Sequence, residues 1–163
     1  MGSIKSKYLV KKSDIDSFSG TEKSHYLNAN ARRLNKSLGD LVGLTTFGFH
    51  LIEVPPGCES TEFHCHSHED ECTYVLSGTG VVRIGEEEFE INSGDFIGYP
   101  AGGMAHSMIN CGSEVLKCLV VGTRAPHDVA DYPKLGKRLY RNLGRTAELV
   151  DIDQVSHPTM GEK

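Results

Sequence analysis

The chain has 163 residues, a net charge of −5, 18 glycines and no tryptophan. That length suits one domain with a core of its own, the negative balance argues against a nucleic-acid partner, which needs a basic patch, and no apolar run approaches the ~18 residues of a membrane span. Five cysteines without a CxxC pair, and an opening Met1-Gly2-Ser3-Ile4-Lys5 without the apolar core of a signal peptide, predict reduced thiols in a cytoplasmic protein.

Residues 1–30 are polar with scattered hydrophobes and read as an arm with one short strand at most. Residues 32–43 are turn-rich, with a candidate strand around Arg33, so 1–43 forms an N-terminal arm. "LTTFGFHLIEV" at 44–54 is a strand rich in β-branched and aromatic residues, ended by Pro55-Pro56-Gly57. "TEFHCH" at 61–66 alternates into an acidic loop, and "CTYVLSG" at 72–78 is a further strand. "VVRI" and "EFEI" flank a hairpin turn at Gly85-Glu86-Glu87. "FIGYP" breaks at Pro100-Ala101-Gly102-Gly103, and "HSMIN" at 106–110 is expected to pair back on it. In "EVLKCLVVG" at 114–122, Lys117 marks the solvent face and Leu116, Cys118 and Val120 the inner face. Strands at this spacing predict an all-β sandwich or barrel over 44–122. Residues 123–163 read as a C-terminal extension that packs on the barrel with one or two edge strands.

The chemistry concentrates in His64-Cys65-His66-Ser67-His68-Glu69-Asp70-Glu71, which holds three histidines and three carboxylates in eight residues. Neutral imidazoles with a carboxylate suit a divalent Fe, Mn, Ni or Zn ion. Alternate residues of a strand share a face about 7 Å apart, so His64 and His66 can converge on one ion. A further histidine, His106, follows Glu71 by 35 residues after a Gly-rich turn. His68 shares the strand parity of His64 and His66, and reads with Glu69 and Asp70 as a loop rim. Isolated His25, His50, His127 and His157 read as ordinary surface or core residues. The cysteines read as small strand hydrophobes, since none has a basic partner at a fixed local spacing.

The order Gly57, His64-x-His66-x4-Glu71-x6-Gly78, then Gly94-x5-Pro100-x-Gly102-x3-His106-x3-Asn110, resembles the two motifs of the cupin superfamily over roughly residues 44–122. Two loop gaps, Gly57 to His64 and Gly102 to His106, run one residue longer than the usual cupin spacing. The resemblance implies a double-stranded β-helix barrel of jelly-roll type. It also implies a metal held by His64, His66, Glu71 and His106. In the strand reading, Glu71 opens the strand paired to the histidine-bearing one, and His106 closes the site from the opposite sheet. Thr73, Tyr99 and Met108 are pocket candidates. The string "PPG…EDE…YVLSG…GDFIGYPAG…VVGTRAPHDVADYP" is similar to a group of small bacterial single-barrel cupins, some labelled as sugar-phosphate isomerases.

A metal-dependent enzyme on a small oxygen-rich molecule, isomerase-like or dioxygenase-like, is the reading favoured. A non-catalytic ligand-binding or sensor cupin is the alternative, and the lack of a helix-turn-helix pattern in 1–43 weighs against a regulator. Arg83, Lys117 and Arg124 are the cations considered for a phosphate, with Lys117 facing out. Apolar residues on both faces of 44–54 (Leu44, Phe47, Phe49, Leu51, Ile52) predict a homodimer with the arm at its interface.

Overall fold

In a computed structural model, residues 7–159 and 161 are described; the Met1–Lys5 segment lies outside them. The elements are a short helix α1 (Lys12–Ser17), a hairpin of β1 (Thr21–His25) and β2 (Asn28–Ser37), one helical turn α2 (Leu38–Leu41), and β3 (Phe47–Val54). β4 (Cys65–His66), β5 (Glu71–Ser77), β6 (Thr79–Ile84), β7 (Glu87–Asn92), β8 (Phe96–Tyr99), β9 (His106–Ile109) and β10 (Leu116–Thr123) follow. β11 (His127–Tyr132), β12 (Lys137–Asn142) and β13 (Glu148–Asp151) end the chain. No helix among the described residues is long and apolar enough to cross a membrane.

One layer is a six-stranded sheet in the order β1-β2-β3-β10-β5-β8. A three-stranded sheet, β7-β6-β9, and a four-stranded one, β13-β12-β11-β4, make up the rest, and every strand pair is antiparallel. The core joins the sheets: Ile52, Val54, Val75, Ile97, Leu116 and Cys118 come from the first, and Val82, Ile91 and Met108 from the second. Val54, Val75 and Leu116 are fully buried, each contributing about 1.5–3 kcal/mol of apolar burial. The alternation in β10 is as expected: Leu116 and Cys118 point inward, while Lys117 pairs outward with Glu53 at 2.8 Å.

Gly78 is where the chain leaves the first sheet for the second. Its φ is +86°, and a Cβ there would sit 2.7 Å from the Val115 carbonyl oxygen, so both dihedral and space require glycine. Asn110 closes the barrel's far end. Fully buried, it donates to the Val54 and Glu114 carbonyls and accepts from Gly112 N–H.

The structure departs from the sequence reading in three places. The arm's two strands, β1 within 1–30 and β2 around Arg33, pair with each other and extend the main sheet along β3, a pairing that the reading of 1–43 as an arm did not include. β9 pairs with β6 and not with β8, since the Pro100–Met104 turn carries the chain across to the other layer. The C-terminal extension has three strands, and β11 pairs with β4, the strand that bears His66.

Candidate metal centre

Three of the imidazoles lie at the junction of the layers. His64 and His106 face each other as an isolated antiparallel bridge: His64 N–H donates to the His106 carbonyl at 3.1 Å and His106 N–H to that of His64 at 2.8 Å. Their ring centroids are 4.8 Å apart. His66, two residues along the same extended segment, brings its Nε2 to 3.0 Å from Nε2 of His64. Glu71 opens β5 in the six-stranded sheet and reaches in from the other side, its Oε1 3.9 Å from His106 Nε2. Two roles are thereby exchanged relative to the sequence reading. β5 pairs with β8 and β10, so Glu71 comes from the opposite layer, and His106 lies beside His64.

Each imidazole is fixed from behind. Nδ1 of His64 is 2.8 Å from the Glu62 carbonyl, Nδ1 of His66 is 2.6 Å from Asp128 Oδ2, and Nδ1 of His106 is 3.4 Å from the Met104 carbonyl. An acceptor at Nδ1 places the ring proton there and leaves Nε2 as a lone-pair donor. Tyr99 stacks flat on His106 at 3.7 Å and 6°. Burial, and then the neighbouring His66 and His106, push the His64 pKa down to about 4. Burial alone would raise the Glu71 carboxyl, but His106, His64 and His66 together hold it below the usual range. A neutral imidazole and an ionised carboxylate are the forms a divalent ion binds. Nε2 of His106 is buried and has no hydrogen-bond partner, and leaving a buried polar atom unsatisfied costs about 1–3 kcal/mol. The donor set therefore fits a first-row divalent ion.

These side chains line one cavity of about 250 Å³. Thr73, Tyr99 and Met108 line it as well. Burial, and then Glu71, raise the Tyr99 phenol well above its ordinary range, so it is a neutral hydroxyl held by Thr73.

A second grouping, His66, Glu69 and Asp128, has donor atoms within 4.8 Å of one another. It already holds a cation: Arg141 lies 2.5 Å from Glu69 Oε1 and 3.9 Å from Asp128 Oδ2, and Glu69 also accepts from Ala125 N–H. His68 stays on the rim, its N–H on Asp128 and its exposed ring edge-on to His127. Asp70 accepts from Ala101 N–H and ties the acidic loop to the turn before β9.

Several residues in or behind the cavity escaped the sequence reading. Asp128, 2% exposed, orients His66 across 62 positions of sequence with no local motif to announce it. His50 also lines the cavity, bonded to Ser37 and Asn35. Its shared parity with Ile52 was the available signal. Lys23, Arg33 and Asn35 enter from the arm's hairpin, whose pairing was not foreseen. None of the three cations considered earlier lines the cavity: Arg83 bonds Glu86, Lys117 Glu53 and Arg124 Asp40.

The cupin-domain family model matches residues 50–122. No curated protein gives a significant match. Among solved structures, the chain is similar to a protein of Acidithiobacillus ferrooxidans ATCC 23270 described as a "putative sugar phosphate isomerase". Identity is 47% over 94% of this chain and 98% of that one, with a TM-score of 0.91. It is also similar to a "sugar phosphate isomerase from a cupin superfamily" of Silicibacter pomeroyi DSS-3, at 28% identity over 89% of this chain and 95% of that one, with a TM-score of 0.77. Matched almost end to end by the first of these structures and over residues 50–122 by the cupin-domain model, the chain belongs to the cupin superfamily.

Proposed function

We propose that His64, His66, Glu71 and His106 hold one divalent Fe, Mn, Ni or Zn ion, and that the chain is a metal-dependent enzyme acting on a small oxygen-rich molecule. The observation that carries this reading is the buried, unpartnered Nε2 of His106 beside two more imidazoles whose Nδ1 atoms are already engaged. Such an ion supplies polarisation of a carbonyl or hydroxyl pair, or O₂ binding if it is ferrous. One ligating carboxylate leaves a local charge of about +1, which attracts anionic or chelating oxygens. The chain's own residues orient the guest: Tyr99 and Thr73 offer hydroxyls, and Ile52, Met108 and Val120 keep one wall dry. Sugar-phosphate isomerisation, the activity named for the two similar structures, is one candidate reaction, and dioxygenation is the other.

The alternative, a non-catalytic ligand-binding cupin, has one observation in its favour. Glu69, a carboxylate of the loop rim beside His66, is tied to Arg141 and Ala125 N–H and so is not free to act as a base. A thermal-shift and turnover screen of sugar phosphates and keto acids, with and without metal, separates the readings. Metal-dependent stabilisation with turnover supports the enzyme, and the same stabilisation without turnover supports the binder. Stabilisation by every hit that is undiminished after the metal is stripped means that the metal is not the docking point, which contradicts the metal-dependent enzyme and leaves the binder.

We also propose a homodimer in the cytoplasm. Leu51 and Ile52 are buried within the chain, 9% and 3% exposed, so the surplus apolar surface lies elsewhere. Tyr74, Leu76 and Phe96 stand exposed together on the outer face of β5 and β8, and a second subunit would cover them. Five free cysteines suit a reducing compartment. Light scattering is expected to give twice the chain mass at micromolar concentration. A monomer contradicts the dimer, and an unchanged mass after deletion of residues 1–30 excludes the arm from the interface.

A further inference from the structure

The cavity has a second chemical pole, supplied by the hairpin of the arm. β1 and β2 pair so that Lys23 stands directly opposite Arg33, with Thr21 opposite Asn35 two positions along. Lys23, Arg33 and Asn35 share the face that lines the cavity. Like charges directly opposite on an antiparallel pair repel and destabilise the hairpin. The offset is partial: Asp40 acts on Lys23 and Glu71 on Arg33 through space, but among the described residues neither cation is in an ion pair with a carboxylate. Arg33 donates one terminal N–H to the Ser60 carbonyl, and its buried Nε has no partner. Glu71 is the sole carboxylate among the described residues that line the cavity, and it lies beside His106. Two cations against one carboxylate leave the lining positive even before an ion adds its own charge.

We propose that Lys23 and Arg33 form a clamp for an oxyanion group, so that the guest is a phosphate ester or a carboxylate bound at two poles. Its charged end lies on the hairpin and its neutral oxygens face the histidines. Arg33 supplies planar, directional donors from within the wall, and exposed Lys23 supplies a mobile charge at the opening. Asn35 and His50, bonded to each other at 3.3 Å, form the polar floor between them and the ion-binding pole. Burial lowers the Arg33 pKa, in agreement with a charge held in the wall; burial also lowers that of Lys23, with Arg33 beside it the next cause. An anion there satisfies the orphaned Nε and relieves the repulsion. The idea rests on the reading of this cavity as a substrate site, but not on the ion being present.

The test is calorimetric titration of inorganic phosphate into the full-length protein, metal-loaded and metal-stripped, with Lys23→Gln, Arg33→Gln and His64→Ala/His106→Ala alongside. Circular dichroism checks each fold, and Lys23→Gln, at an exposed position, guards against loss of Arg33's structural bond. Phosphate is expected to bind with and without metal, and to weaken about tenfold or more in either cation variant. The double histidine variant should still bind phosphate while losing metal. If wild type binds no metal yet its phosphate affinity depends on Lys23, the metal reading fails and the clamp stands. Phosphate that binds only when metal is present, and indifferently to both cations, places the anion on the ion and overturns the clamp. No phosphate binding at all overturns it too. Glucose 6-phosphate and citrate then distinguish phosphate ester from carboxylate, and equal affinity for uncharged glucose also counts against the proposal.

Discussion

At one pole of the cavity three imidazoles are each anchored through Nδ1, with a carboxylate facing them from the opposite sheet. At the other pole two cations stand side by side, neither of them in an ion pair among the described residues. The first pole presents lone pairs suited to a cation, and the second presents donors suited to an anion. They also come from different parts of the chain. The barrel strands supply the four candidate ligands, while the arm supplies the cations and the C-terminal sheet the orienting Asp128.

If the poles are independent, changes at one should leave the other's ligand alone. The largest separation is expected from Asp128→Asn. The amide keeps the shape but loses the charge that holds His66 Nδ1, and metal affinity should fall about 10- to 100-fold with phosphate affinity unchanged. Competition with a chelator of known affinity measures the first, calorimetry the second. Parallel losses would mean that the poles form one coupled site.

A smaller effect should appear at His50, on the floor near the cations. Its pKa lies below 6.5, first because it is buried and then because Lys23 and Arg124 are close. The unfolded chain binds a proton there more readily than the folded one. The stability it confers is thus present above pH 6.5 and lost as pH falls toward the folded pKa. Lys23→Gln should move that pKa up toward 6.5 in an NMR titration. An unmoved His50 would place Lys23's charge outside the cavity.

Lys117→Gln should do least. Its ion pair with Glu53 is at the surface, so stability should change by no more than about 1 kcal/mol in denaturant titration, and neither ligand should respond. A change in phosphate binding would return Lys117 to the list of anion-binding cations.

These unequal contributions follow the way the sequence could be read. The strands of 44–122 were legible because period-2 alternation and Gly/Pro turns are local signals, and His64, His66, Glu71 and His106 stood in a known motif order. The pairing of β9 with β6 was not legible, because a turn through Pro100 can return to its own sheet or cross to another with the same local residues. The same limit hid Lys23 and Arg33. Their segment is polar on both faces, so its alternation carries no hydrophobic sign, and its register is visible only once β2 lies on β3. Asp128 was hidden by distance in sequence alone.

The most direct test of the central claim is elemental analysis of the purified protein. Wild type should carry close to one divalent first-row ion per chain, and His64→Ala/His106→Ala close to none, with the fold retained by circular dichroism. Equal metal content in the two proteins would contradict the assignment of His64, His66, Glu71 and His106 as the ion's ligands.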